Sequence, residues 1–491
     1  MFLHEGTSTA EDIISEFADV VAKQISTKSI VFAVTSDTTG NMNSFGKMLE
    51  DDGIFHAYCT DHNLHLTCKI IYENSSDACV DAVKRARKFV THFEKSKQST
   101  DKWKKQQSCN DPSACPLVLL TDVCTRWWST YRMVECLLRL KNVIGQCYLS
   151  NNNRPNTQPL TEADWEILRF CAEIMKLVKE SLKLLEGEYY ITGPWVPFLI
   201  RRCRDAFVSG MAEDKPNSVR AMSKVLKEDF DARWGSTNED VFRPTIIRGR
   251  MNRQIGIHHC FITACALDPR FKHLRGIALE SATEKEALWE HILSLMIAEY
   301  NLVQQKHATP NAPVPAASTD DPSTTGPPAT AVVPPATTVA APTVPGFQLS
   351  PLEELAMLGA QNDDNEDDDD DDVDDDEETA THIRLSCLAE LARYKKARIL
   401  CPMKKDSNGK IVYTDPLEWW KKNEYRFFHV AALAKKFLAI PATSAPSERI
   451  FSRAGLIISP LRNRLNPTIA GQLFYVNENW EWYLENKDKF Q

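Results

Sequence analysis

The sequence predicts a mixed α/β chain that is mostly α-helical and is broken by one acidic linker. Three observations carry this reading. A helical segment feeds one short apolar run that ends at an acid, Asp37. From 56 to 304 apolar residues recur at helical spacing. Residues 305–382 hold too little apolar content and too much like charge to fold. The expected order is therefore 1–55 as a partial α/β core, 56–304 as an all-helical block, 305–382 as a disordered Pro/Ala/Thr-rich and acidic linker, and 383–491 as a second helical block.

In the first block Ser8-x-x-Glu11 resembles a capping box ahead of Ile13, Phe17 and Val20 or Val21. "KSIVFAVTSD" then places a continuous apolar run at 30–34, the mark of a buried strand, and delivers Asp37 at its C-terminal end. In the second block "DWEILRFCAEIMKLVKESLKLLEG" (164–187) has apolar residues at i, i+3, i+4 and i+7 and stops at a glycine. No hairpin is expected there. Within the linker, "SPLEELAMLGA" is a short candidate helix. In the last block Val430, Leu433, Ala434, Phe437 and Leu438 form one face. Ser444 can cap a helix containing Glu448, and Gly455 can end it. Asn466-Pro467 opens a final helix with Ile469, Leu473 and Val476 expected inward.

The composition narrows the function classes. At 43% hydrophobic residues the 491-residue chain can bury a core. Its net charge of −9 becomes +5 once the 14 acids of residues 363–378 are set aside, so the folded part is mildly basic and compatible with nucleic acid. Fourteen cysteines are scattered without a CxxC pair, and no apolar run approaches 18 residues. Free thiols, a reducing compartment and no membrane partner follow as expectations. The opening residues read as mid-domain sequence with no leader.

Several constellations could carry chemistry. Two-metal phosphoryl transfer needs carboxylates that converge on divalent cations, and Asp37 and Glu448 are the candidates. The plain readings, a turn residue and a first-turn helix acid, stay open beside it. "CTDHNLH" spaces Cys59, His62 and His65 for one helix face, as zinc ligands or as buried structural side chains. Residues 83–107 carry nine Lys/Arg against two acids, with Phe89, Phe93 and Trp103 interleaved. Lys84, Arg85, Arg87 and Lys88 there suit a phosphate backbone, or a solvated face whose aromatics are core. Trp127 and Trp128 after Arg126 could stack on a base or pack between helices. The acidic tract is read as a solvating linker.

Taken together these segments resemble the hAT (hobo–Activator) transposase superfamily, including its domesticated BED-finger relatives. The carriers are "HEGTSTAEDI", "VTSDTTGNM", "CTDHNLHL", "TDVCTRWWSTYRMVE", "CALDPRFKHL" (265–274) and the long stretch from "DPLEWWKK" through "PATSAPSERIFSRAGLIISPLRNRL". The last is similar to the superfamily's C-terminal dimerisation region. The resemblance implies a partial RNase H-like core interrupted by a large helical insertion. It implies Asp37 as the second catalytic acid and Glu448 as the third, with Mg2+ or Mn2+ as cofactor if the chain is catalytic and none otherwise. Arg126 and Trp127 match an RW motif that handles the DNA end, and Cys59 and His62 match a C-x-x-H element. The family's first acid has no counterpart in residues 1–36, the BED finger is absent, and Thr38-Thr39-Gly40 stands where Asn-Ala-x is preferred.

These departures lead us to expect an N-terminally truncated, transposase-derived chain without catalysis, whose strand at 30–34 lacks its neighbours and presents an open edge. It is expected in the nucleus as a homodimer or higher homo-oligomer, with DNA as a further partner and no small-molecule substrate. The C-terminal contacts expected are Trp419, Trp420, Phe427, Leu433, Phe437, Phe451 and Leu473. The alternatives are an active transposase that cleaves and transfers DNA strands with metal, if upstream strands exist, and a chromatin- or DNA-binding regulator.

Overall fold

The computed structural model describes residues 9–24, 31–73, 77–95, 97–110, 115–122, 128–149, 155–235, 242–250, 253–277, 279, 281–308, 378–405, 409, 411–457 and 465–487. The candidate helix at 350–360 and most of the acidic tract lie outside them.

Helix α1 (Ala10–Gln24) opens on a capping box set one residue later than the sequence suggested. Thr9 Oγ1 accepts the Asp12 N–H at 3.2 Å, and Asp12 accepts the Thr9 N–H at 2.9 Å. Strand β1 (Ala33–Ser36) sits toward the end of the apolar run instead of at 30–34. Helix α2 (Gly40–Asp51) leads from it to β2 (Phe55–Tyr58), a strand the sequence reading did not anticipate. The two pair in parallel, Ala33 with Phe55 through Ser36 with Tyr58. The expected orphan strand therefore has a neighbour. Among the described residues this is a two-stranded parallel sheet. Phe32 and Phe55 also close on Phe437 at centroid distances of 5.1 and 5.8 Å, so this small sheet lies against the C-terminal block.

The helices that follow are α3 (Thr60–Glu73), α4 (Asp77–Glu94), α5 (Lys97–Asn110), α6 (Ser129–Arg139), α7 (Lys141–Leu149) and α8 (Glu162–Leu185). Next come a 3-10 turn (Gly193–Trp195), α9 (Val196–Ser209) and α10 (Asn217–Trp234). Thr161 caps α8 in a reciprocal box with Asp164. The middle block is not wholly helical. Two-residue strands β3 (Ile247–Arg248) and β4 (Gln254–Ile255) pair antiparallel, too short for any alternation to show in sequence. Helix α11 (His259–Leu267) is buried on all sides, and α12 (Ala282–Ala308) runs past the boundary placed at 304.

Helix α13 (Glu378–Lys396) begins ahead of the boundary placed at 383. A second hairpin, β5 (Met403–Lys405) with β6 (Ile411–Tyr413), interrupts the C-terminal block. Its sequence signal, Asn408-Gly409, is a strong turn dipeptide that the helical reading passed over. Helices α14 (Pro416–Asn423), α15 (Phe428–Phe437), α16 (Ala445–Ile457) and α17 (Pro467–Asn486) complete the chain. Asn466 Oδ1 caps α17 through Thr468 N at 2.8 Å, as expected, whereas α16 continues past Gly455.

One apolar core joins the two ends of the sequence. Ala57 and Leu64 from the N-terminal part, Leu199 and Phe230 from the middle, and Tyr394, Phe427, Val430 and Phe437 from the C-terminal part share it. A satellite core under α4–α8 takes Phe89, Phe93 and Trp103, which settles those aromatics as packing. The LDPRFK stretch joins the middle to the C-terminal block. Ala266 O accepts Tyr394 OH at 3.1 Å, Leu267 O accepts Trp420 Nε1 at 3.1 Å, and Pro269 O accepts Leu400 N at 3.0 Å. Arg270, paired with buried Asp268 at 2.6 Å, also donates to Thr414 O at 2.9 Å.

Candidate functional site

Residues 441–444 form the hub that brings Asp37 and Glu448 into one region. Pro441 O accepts Thr35 Oγ1 at 2.8 Å, Ala442 O accepts Thr60 N at 3.1 Å, and Ala442 N donates to Thr192 Oγ1 at 3.1 Å. Ser444 N donates to Cys59 Sγ at 3.3 Å. The strand end, the start of α3 and the 3-10 turn therefore all hold the segment that launches α16. Cys59 is a positioning group: buried, with its thiol pushed up to about 11 by burial and then by Asp61.

Asp37 closes a tight turn, its Oδ1 accepting Thr39 N at 3.0 Å and Thr39 Oγ1 at 2.9 Å. Glu448 lies exposed in the first turn of α16. Both act on His62, whose pKa is lowered chiefly by burial while Asp37 and Glu448 oppose that.

Asp61 is the member the sequence reading missed, since it stood as a spacer inside C-x-x-H. It is 1% exposed, and neither carboxylate oxygen has a hydrogen-bond partner. Burial, then Glu186 and Glu448, push its pKa up to about 8, with Arg449 opposing. At neutral pH it is mainly the neutral acid. Arg449 binds the Glu186 carbonyl at 2.7 Å and Glu188 at 2.6 Å, which ties α16 to the end of α8.

This arrangement does not make an ion's ligand set. A divalent cation here would need several converging carboxylates. Among the described residues no group of three His, Cys, Asp or Glu side chains is so placed, and Asp37 is engaged in its own turn. The same holds for Cys59, His62 and His65 as zinc ligands.

The basic stretch divides. Arg85 binds the capping carboxylate Asp164 at 3.1 Å through Nε, and Arg87 binds Asp122 at 2.7 Å while lying over Tyr72. These two brace helices, whereas Lys84 and Lys88 are exposed. Arg126 and Trp127 lie outside the described residues; Trp128, which follows them, is in a left-handed conformation with its ring 6.4 Å from His65.

The expected C-terminal contacts divide too. Trp420, Phe427, Leu433 and Phe437 are inside the monomer core, so they cannot meet a partner without opening it. Trp419 is half-buried and stacks on Phe427 at 5.9 Å. Phe451 at 59% and Leu473 at 44% face solvent. Contrary to the inward assignment, Ile469, Leu473 and Val476 are exposed, and Trp480 and Tyr483 continue their line. Steps of four, three, four and three residues put all five on one stripe of α17, the spacing of a helix–helix seam.

Residues 390–480, which include most of that stripe, match the hAT family C-terminal dimerisation region. Residues 59–181 match the ZBED1 RNase-like helical domain. Two curated maize (Zea mays) proteins are similar along nearly the whole chain. A putative AC transposase is 21% identical over 489 residues, covering 96% of this chain and 51% of its own length. A putative AC9 transposase is 21% identical over 533 residues, covering 98% and 54%. The chain spans about half the length of the curated relatives it matches. The chain is thus similar to these maize proteins along nearly its whole length, with one segment matching the hAT C-terminal dimerisation region and another the ZBED1 RNase-like helical domain. No described helix is long and apolar enough to cross a membrane.

Proposed function

We propose that this chain acts by self-association through the outer face of α16 and α17, without strand cleavage, as a nuclear protein. The observation that carries the proposal is the unpartnered stripe Ile469, Leu473, Val476, Trp480 and Tyr483, flanked by Phe451. A second copy suits it because a seam of this spacing is self-complementary and lies in a region matched to dimerisation. The non-catalytic part rests on Asp37, whose Oδ1 is engaged by Thr39 in its own turn. Sedimentation of the full chain tests it. Wild type should be a dimer or larger at micromolar concentration, and Leu473→Asp with Trp480→Asp should be monomeric with unchanged helicity. A monomeric wild type, or a variant that associates equally, sinks the proposal.

A second reading rests on the 441–444 segment, which joins the strand end ahead of Asp37 to the helix that carries Glu448. In it the β1–α2–β2 unit is part of an RNase H-like core, and a longer product cleaves and transfers DNA strands with Mg2+ or Mn2+. Nicking of plasmid DNA that disappears in Asp37→Ala and Glu448→Ala would favour it. DNA or chromatin binding through Lys84 and Lys88 is a separate question, answered by salt-dependent retention of duplex.

A further inference from the structure

Cys79 on α4, Cys171 on α8 and Met222 on α10 bring three sulfur atoms together where these helices pack. Cys79 Sγ lies 3.6 Å from Cys171 Sγ and 3.2 Å from Met222 Sδ, and Cys171 Sγ lies 3.5 Å from Met222 Sδ. All three residues are fully buried. We propose that this sulfur triangle is a binding site for a soft monovalent cation, Cu(I), independent of self-association.

The first support is the closeness of the sulfurs. Carbon atoms in contact stand about 3.5–4.0 Å apart, and sulfur is larger, so plain packing does not bring two sulfurs to 3.2 Å. Hydrogen bonds do not cover the set either. Cys79 Sγ also lies 3.1 Å from Ile71 O, which makes four contacts for two thiol protons, because the thioether carries none. A cation inside the triangle accepts the lone pairs that otherwise face one another.

The second is size. The triangle's centre is about 2.0 Å from each sulfur, against about 2.3 Å for a metal–thiolate bond, so a small outward shift of each side chain seats an ion. The third is donor chemistry. Thiolate and thioether ligands select Cu(I) over hard cations. Structural zinc takes four ligands, and among the described residues no third His, Cys, Asp or Glu joins the two cysteines. Charge also balances for a monovalent ion. Cu(I) replaces the Cys171 proton, which leaves to solvent, and a sulfur–copper bond forms in place of S–H with no change of oxidation state. Cys79 keeps its proton on Ile71 O, so the buried complex is neutral. With no sulfur at the surface, the ion enters as the helices assemble, which couples loading to folding. The ligands stand 92 and 51 residues apart, so no sequence spacing announces them.

The test uses the full chain with Cys109, Cys115, Cys124 and Cys401 changed to Ser, which removes the exposed thiols and the one outside the described residues. Produced in copper-supplemented cells and purified without air, it should retain about one copper per chain against a Cu(I) chelator, with a raised thermal midpoint. X-ray absorption should show three sulfur neighbours at about 2.3 Å. Met222→Leu keeps the core volume, should hold copper about tenfold or more weakly, and should lose one sulfur neighbour. Cys171→Ala should abolish retention. Wild type without chelator-resistant copper, equal retention by Met222→Leu, or a Cys79–Cys171 disulfide found by mass spectrometry in place of copper overturns the proposal.

Discussion

The side-chain amine of Lys272 donates to the carbonyl oxygen of Tyr394 at 2.6 Å, and also to those of Lys395 and Ala397. These carbonyls lie at the C-terminal end of α13, where the last helical oxygens lack partners of their own. A cation there also meets the negative end of the helix. The Tyr394 ring lies 5.0 Å from the same amine. One lysine of the middle block therefore finishes a helix of the dimerisation region.

Lys272→Met should consequently cost about 2–4 kcal/mol, since buried carbonyl groups lose their donor while the volume stays filled. Urea unfolding of the full chain followed by tryptophan fluorescence measures this. Because the motif bolts two blocks together, the variant should also loosen residues 390–480, seen as faster amide exchange there.

The pH dependence should centre on Asp61. Its folded pKa of about 8 is above the usual carboxyl value of 3.8, so the folded state holds a proton that the unfolded state releases. The stability it permits is complete below about pH 4 and is lost as pH rises through about 8. Asp61→Asn should remove that decline and leave the variant more stable than wild type above pH 8, by about 1–3 kcal/mol. Denaturant midpoints between pH 6 and 9 decide it; parallel curves for the two proteins would count against the assignment.

The outward helices were legible in one respect and not in another. Periodicity found α15 and α17 because a 3.6-residue repeat shows wherever a helix has an apolar stripe. It could not say whether a stripe meets its own chain or another copy, so Phe437 and Leu473 looked alike although one is 1% and the other 44% exposed. Asp37 and Glu448 were legible as candidates because the motifs around them are long. Asp61 was not, because its character comes from burial beside Glu186 and Glu448, which are far away in sequence. β2 and the β3–β4 pair were missed because a two- to four-residue strand carries almost no alternation, whereas the β5–β6 hairpin showed only in its Asn408-Gly409 turn.

This difference predicts opposite outcomes from similar substitutions. Phe427→Ala, in the core, should lose about 3–5 kcal/mol and leave much of the chain unfolded at 37 °C. Leu473→Ala should change monomer stability by less than about 0.5 kcal/mol, because the side chain is already in water. Its effect should appear in the association constant instead. Thermal midpoints measured at two protein concentrations separate the effects: Phe427→Ala lowers both, and Leu473→Ala lowers mainly the concentration-dependent part.

Gly46 offers the sharpest steric test. A Cβ built on it would lie 1.9 Å from His56 Nδ1, inside any permissible contact. His56 cannot readily yield. Its Nε2 is 2.7 Å from Ser36 Oγ, its ring is fully buried, and Phe45 and Tyr58 lie edge-on to it. Gly46→Ala must therefore push α2 away from β2 or break the His56–Ser36 bond beside the Asp37 turn. The expected cost is about 1–3 kcal/mol, the range for overpacking a filled core. Burial pulls His56 down to about 4, so the ring is neutral at physiological pH and the effect should be the same at pH 6 and pH 8. His56→Ala in the same chain removes the obstructing ring, so the added cost of Gly46→Ala should shrink in the double variant. A full additive cost would mean that backbone, not the imidazole, limits the space.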